Sequence, residues 1–282
     1  MRQTLISFDL KGDFGVFKKP DVNEGLQVTF NSLHKPALLG ILGAIAGLGG
    51  YQRHGVFPEY YDKFRNLRVG IEPLEGWHDK GNFVKTVIKY TNTVGYANAD
   101  GNLIITEQTL CRPAYRVYLL LDLDNEEQAR LNDRIRAGEA EYLPYFGKNE
   151  CAAWWERESV RAYEFEPFVA TGDFRVSSVF VRKGSVKDQK ADLDFDIDLG
   201  KMINQATYIY FERLPIGFFV GDSAKAESPE LFSEIKVKPM KFVQYDLAEF
   251  AFTDCTFRKG AVTPPLFQAK SNGEPLKIIQ LF

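Results

Sequence analysis

Two aromatic residues and two lysines crowd one short stretch, Gly12–Pro20, as Phe14, Phe17, Lys18 and Lys19. Rings beside ammonium groups suit single-stranded RNA, because the rings stack on bases while the ammonium groups meet phosphates. The same residues also fit a plainer reading, in which the two phenylalanines enter the core and the lysines are solvated; composition leaves both open. A second stretch, Gly40, Gly43, Gly47 and Gly49, is glycine-rich. A dinucleotide fingerprint needs G-x-G-x-x-G directly after a strand. Here the spacing differs and Pro36 with its turn precedes, so a glycine-faced packing helix is the better reading. The histidines, His34, His54 and His78, are scattered, and Cys111, Cys151 and Cys255 contain no C-x-x-C pair. Neither a zinc site nor a disulfide framework is indicated. Asp192, Asp194, Asp196 and Asp198 alternate; alternating carboxylates splay along one wet strand face rather than converge on a metal. No metal or cofactor is expected.

The glycines lie in residues 29–51, TFNSLHKPALLGILGAIAGLGGY. Pro36 is tolerated at the first helical position, where its missing N–H has no partner to lose, and Ser32 offers a cap or turn. The helix is expected to run from Ala37 to a stop at Gly49-Gly50. At about 100° per residue, Leu38, Ile41, Leu42, Ile45 and Leu48 share one side and Gly40, Gly43, Ala44 and Gly47 the other. Each glycine costs a helix roughly 1 kcal/mol against alanine, so the bare face has a purpose: the close approach of something to its backbone. The run is shorter than the ~20 apolar residues a membrane span needs.

Around this helix the chain reads as a mixed α+β protein. Gln3–Lys11 alternates as a first strand and lacks a signal-peptide core. After a connector (Tyr51–Tyr61), Lys63–Leu74 reads as a second strand. Phe83–Tyr90 and Leu103–Leu110 flank a polar segment with Asp100-Gly101, a hairpin signal. Ala114–Asp122 is a further strand. Asp124 caps a helix over Asn125–Ala137, whose acidic start and basic end match its dipole. The order is strand, helix, strand, hairpin, strand, helix, strand, a ferredoxin-like βαββαβ unit with a β-hairpin inserted between its second and third strands. From about residue 168 the reading is β-rich, with strands over Val176–Val181, Ala206–Leu214, Lys236–Tyr245 and Glu249–Phe257. The expected division is 1–167, with the inserted hairpin at about 76–112, and 168–282.

With 282 residues, 45% of them hydrophobic, the chain can bury a full core. Its formal charge of −3 does not advertise nucleic-acid binding. Residues 1–120, however, carry three more basic than acidic groups, so a basic footprint belongs in that half. A cytoplasmic protein of a reducing compartment is expected.

Three motifs occur in a fixed order: FDLKGDFGVFKKP (Phe8–Pro20), Thr29-Phe30, then the Pro36-led P-x-x-L-L-G-I-L-G-A-I helix. Tyr145-Phe146-Gly147-Lys148-Asn149-Glu150-Cys151 follows later. Together they resemble the CRISPR-associated Cas-five family of the RAMP superfamily, subunits of type I Cascade surveillance complexes. The resemblance is specific in the first half and weak after residue 168.

It implies an RRM-like fold whose inserted hairpin is a "thumb" projecting onto guide RNA. It implies a subunit that holds the 5′ handle of the crRNA, caps the Cascade backbone filament against its first subunit, seats the large PAM-reading subunit and meets target DNA only indirectly. The RNA-binding residues it implies are Phe14, Phe17, Lys18, Lys19, His34, Lys35, Arg53, Lys80, Lys85, Lys89, Arg112, Arg116, Gly147, Lys148 and Asn149. Some members, those of type I-C systems, cut precursor RNA without metal, using a tyrosine on the first helix and a Lys-His pair at the start of the second. Landmark matching places Ala46, Gln128 and Ala129 at those positions here, residues unable to move a proton. The resemblance therefore points to the non-cutting branch, as in type I-B, with a metal-independent endoribonuclease using Tyr51, His54 or His78 as the alternative.

Overall fold

The computed structural model describes residues 2–21, 25–53, 55–91, 104–183, 208–222, 241–257 and 266–282. His54, the expected turn at Asp100-Gly101 and the acidic repeat at 192–198 lie outside the described residues. The protein is mixed α+β and strand-rich. Its first strand, β1 (Gln3–Gly12), is central to a seven-stranded sheet. On one side it pairs antiparallel with β7 (Ala114–Asp122), and β7 pairs with β4 (Arg68–Pro73). On the other side it pairs with β8 (Ala153–Trp154) and β9 (Arg161–Pro167). Beyond β9 come β13 (Leu266–Lys270) and β14 (Lys277–Gln280), so a segment from the far end of the chain completes the sheet begun by its first residues.

Helices α1 (Lys35–Ala46) and α3 (Glu126–Ala137) cover one face of this sheet. The bulky side of α1 reads as expected: Leu38, Ile41, Leu42, Ile45 and Leu48 are all buried, against Ile6, Phe8, Val117 and Leu119 of the strands. The helix stops earlier than its glycines predict, because Gly47 already takes the left-handed conformation, φ 79°, and returns the chain. Its glycine face is not free. A second helix, α2 (Glu59–Phe64), crosses it, and a Cβ on Gly43 would sit 2.4 Å from Tyr60 Cβ. The glycines of this helix admit a tyrosine rather than an RNA backbone.

Residues 59–64, expected to be connector and strand, form this helix, with Pro58 rather than a side-chain cap at its start. The following strand therefore begins at Arg68. The caps also differ from expectation by a few residues. His34, not Ser32, caps α1, its Nδ1 accepting from Ala37 N at 3.3 Å; Asn125, not Asp124, caps α3, accepting from Gln128 N at 3.0 Å. In both, the cap side chain accepts from the N–H three residues on, that of the third helical residue.

The inserted hairpin, β5 (Lys85–Thr91) and β6 (Ile104–Cys111), is present, with Lys85 opposite Leu110 and Thr91 opposite Ile104. It belongs to a second sheet with β2 (Phe14–Gly15) and β3 (Leu26–Gln27), both paired to β6. A third sheet joins β10 (Phe180–Lys183), β12 (Lys241–Thr253) and β11 (Ile209–Asp222). The strands expected at 236–245 and 249–257 are one strand, β12, because its ladder to β11 continues through Asp246 with a single irregularity near Pro215.

The outer face of the main sheet is also closed. Phe267, Ala269, Ile279 and Leu281 pack on Leu5, Tyr118, Leu120 and Tyr163. Around this apolar patch runs a polar network. Arg116 Nε meets Asp9 at 2.7 Å and its Nη1 meets Glu274 at 3.1 Å, while Glu72 accepts from Tyr118 at 2.6 Å and from Lys277 at 2.6 Å. Charge and apolar area together fasten β13 and β14 over the sheet.

Candidate nucleic-acid interface

The first loop is built by a threonine. Thr29 is buried; its hydroxyl accepts from Phe17 N at 2.8 Å and donates to Phe30 O at 2.8 Å. This draws the loop across the start of α1. Phe17 is thereby turned inward, 3% exposed, with its ring edge-on to His34 and Phe146. It is a core residue and, as placed, offers no face to a base. Phe14 is 44% exposed and Lys18 is exposed. Lys19 is partly engaged, paired with Glu212 at 2.8 Å and lying over the Phe30 ring.

The turn at 145–151 meets this loop from more than a hundred residues away. Val16 N donates to Phe146 O at 3.0 Å, and Phe146 N to Cys151 O at 2.7 Å. Gly147 has φ 82° and sits so close to the loop that an added Cβ would lie 1.8 Å from Val16 O. Lys148 then reaches the hairpin, donating to Glu107 Oε1 at 2.7 Å and to Tyr90 Oη at 3.0 Å. Burial pulls the Lys148 ammonium down, but its bonds to Glu107 and Tyr90 outweigh that and hold it above its ordinary value. Asn149 is exposed beside it.

Loop, helix, turn and hairpin enclose one groove of about 720 Å³, walled by Lys18, Gln27, Ala37, Gly40, Tyr145, Gly147 and Lys148, with Glu107 at its side and Tyr51, Tyr60 and Tyr142 further along. Tyr51, Tyr142 and Tyr145 are 57%, 56% and 41% exposed. A second groove of about 560 Å³, with Gln52 and Arg53 in its wall, shares Tyr51, Phe218 and Tyr245 with the first. The volume and the tyrosine-rich wall suit stacked bases, with Lys18, Lys148 and Arg53 placed for phosphates.

Other expected residues are buried or lie elsewhere. His34 backs the groove wall but is buried, and Lys35 is buried outside it at the start of α1. With Pro36 lacking an N–H and Ala37 N bonded to His34, the helix start offers little to a phosphate. Lys35 Nζ donates to Phe282 O at 3.0 Å, and burial lowers its pKa to about 8. Lys85 and Lys89 alternate with Tyr90 and so lie on the hairpin face away from Lys148. Lys85 donates to Asn31 Oδ1 at 2.5 Å and is pulled down by burial, whereas Lys89 is exposed. Lys80 and Arg112 are exposed at positive φ, 50° each. Arg116 is committed to Asp9 and Glu274 under the outer strands.

His34 is ringed by Phe17, Phe30 and Tyr245, and burial lowers its pKa to about 3. The folded protein keeps this ring neutral, whereas the unfolded chain protonates it below about pH 6.5. The stability that neutral His34 contributes is complete above pH 6.5 and is lost as pH falls towards 3, about 2 kcal/mol of it by pH 5. In urea titrations at pH 7 and pH 5, His34→Asn, which keeps a cap, should show a pH difference smaller by about that amount. An unchanged difference would assign the pH dependence elsewhere.

Ala46 is buried at the end of α1, and Gln128 Oε1 accepts from Asp122 N at 2.8 Å in the turn before α3. His78 Nδ1 accepts from Gly81 N at 3.0 Å, with its ring against Phe83 and Phe252. The sequence did not single out Glu107, Gln27, Tyr60 or Tyr142, and it marked Tyr51 and Tyr145 for other reasons than a shared groove. A charged residue at an inward-alternating position of LIITEQTL was the available signal for Glu107. Among the described residues there is no cluster of three side chains able to hold a metal, and no helix long and apolar enough to cross a membrane.

The fold and groove define a strand-rich α+β protein with a tyrosine-lined cleft. No family model matches the sequence, and no curated protein does. Among solved structures the chain is similar to one from a CRISPR RNA-guided surveillance complex, with 15% identity over 92% of this chain and 94% of that one, TM-score 0.43. It is also similar to a CRISPR protein from Archaeoglobus fulgidus, with 11% identity over 98% and 99% and TM-score 0.42. A third similar structure is a Cas protein, with 14% identity over 93% and 97% and TM-score 0.36.

Proposed function

We propose that this chain is a non-catalytic, Cas-five-like subunit of a type I Cascade complex, most like the type I-B form. It binds the 5′ handle of the crRNA, caps the backbone filament and contacts the large subunit. In this reading residues 1–167 are a ferredoxin-like RAMP module with a thumb at about 76–112, and 168–282 are a β-rich extension.

The observation that carries the reading is convergence. The first loop, the Pro36-led helix and the Gly147-Lys148 turn, the segments on which the resemblance rests, are far apart in sequence and wall one groove. Of the RNA contacts the resemblance implies, Phe14, Lys18, Arg53, Lys80, Lys89, Arg112, Lys148 and Asn149 stand at or near the surface and remain in the proposal. Ala46, Gln128 and Ala129, at the positions used by cutting members, supply no base or acid.

The test is one gel: the purified chain, alone and with its backbone subunit, against labelled repeat RNA and a control with a scrambled 5′ handle, in EDTA. Handle-dependent binding without cleavage is expected. Lys18→Glu should weaken it about tenfold and make log K less salt-dependent, by roughly one unit of slope. Site-specific cleavage would make the chain an endoribonuclease, and no binding with the backbone subunit present would remove the RNA-binding reading.

A further inference from the structure

Glu107 is the unusual residue of the groove. It is 3% exposed, Lys148 occupies only its Oε1, and its Oε2 has no hydrogen-bond partner among the described residues. An acceptor left unpaired in a protein interior is destabilising, and such a group calls for an explanation. The residue is held rigidly. It lies mid-strand in β6, opposite Ile88 on one side and Gln27 on the other, so the sheet fixes its backbone from both edges. Its groove neighbours are Gln27, Tyr145, Gly147 and Lys148.

We propose that Glu107 reads the Watson–Crick edge of an unpaired guanine laid in this groove, an assignment that rests on the RNA-binding reading above. A carboxylate only accepts. Guanine is the one RNA base with two adjacent donors on that edge, N1–H and the N2 amino group. Adenine and cytosine each set one amino donor beside a ring-nitrogen acceptor, and uracil flanks its single N3–H with two carbonyls. Those acceptors would face the carboxylate and repel it. The Lys148 side chain is one-third exposed and covers Oε1. It moves aside as the base arrives, so that both oxygens accept, and its ammonium is then free for a phosphate. Gln27 supplies an amide able to donate to guanine O6, and Tyr145 a ring on which the base stacks.

The test uses the full chain and fluorescein-labelled RNA octamers of uridine carrying G, inosine, A, C or U at one central position, read by anisotropy. The G octamer is expected to bind about tenfold tighter than the A, C and U octamers, in line with a bidentate contact. Inosine, which lacks the N2 amino group, should lose most of that advantage. Glu107→Gln should bring the G and A octamers within about twofold of each other. Should that variant fail to fold, the inosine comparison on the unaltered chain decides. Equal binding of all five octamers would overturn the guanine assignment and leave RNA binding standing. Preference for G surviving in Glu107→Gln, or inosine binding as tightly as G, would also overturn it. Binding of none would overturn both readings.

Discussion

Gly147→Ala should lower the thermal unfolding midpoint by about 6–12 °C. The residue sits at φ 82°, and the new Cβ would lie 1.8 Å from Val16 O. The left-handed conformation costs a side-chain-bearing residue roughly 1–2 kcal/mol. The overlap is with backbone, not with a side chain that can turn away, and relieving it adds about 1–3 kcal/mol. A total of about 3 kcal/mol corresponds to the stated shift in a chain of this size at roughly 2–4 °C per kcal/mol. The relief must also stretch the Val16 N to Phe146 O bond, 3.0 Å, which joins the two walls of the groove. RNA affinity should therefore fall with stability even at temperatures where the variant is folded. Gly172→Ala is the control, since nothing lies within 4 Å of its added Cβ, and it should leave midpoint and affinity in place. Equal midpoints for the two variants would remove the close approach from the account.

Arg116→Met should cost about 3 kcal/mol and loosen β13 and β14 before the rest of the sheet. The guanidinium, with 13% of its side chain exposed, stands between Asp9 at 14% and Glu274 at 19%. Its hydrogen bond to Asp9 leads a rise in its pKa that keeps it charged at any working pH. Removing Arg116 leaves Asp9 without its cation beside Glu274, which keeps Arg161 at 3.5 Å; losing one partner of such a group typically costs about 3–5 kcal/mol in a full interior and somewhat less here. Hydrogen exchange should rise first at the amides of 266–270 and 277–280, where the hairpin is fastened through Glu274. The double variant Asp9→Asn with Arg116→Met should recover part of the loss. A loss under 1 kcal/mol, or exchange rising evenly over the sheet, would mean that the apolar patch around Phe267 and Ile279 fastens these strands without the ions.

Much of the first half was legible because its signals are local. Alternation in Gln3–Lys11 and Ala114–Asp122 gave two neighbouring strands nearly to the residue, and helical spacing gave the buried side of α1. The glycine face of α1 was legible as a feature but not in its use. Its occupant, Tyr60, belongs to a six-residue helix after Pro58 that is too short to show a period. The groove was half legible: Lys18 and Lys148 were named, and Phe17 was left open between a base contact and the core. Which way Phe17 turns is decided by the Thr29 hydroxyl, a contact across twelve residues that no periodicity records. Glu107 escaped because its meaning comes from Lys148 and from the pairing with Gln27, both remote in sequence. The outer hairpin β13–β14 escaped for the same reason, since its partner β9 lies about a hundred residues earlier.

That separation sets an order in time. The inner edge of β9 is satisfied by β1 and its outer edge only by β13. In any state of the chain where residues 266–270 have not arrived, β9 presents a row of unpaired N–H and C=O groups. The Phe267 and Ile279 patch then leaves Leu5 and Tyr118 open to water as well. An open edge beside an apolar face is a template for another chain, and contacts spanning such distances form slowly. Refolding yield should therefore fall as protein concentration rises. An isolated strand with the sequence of β13, added in excess, should compete for that edge before the chain's own segment closes it.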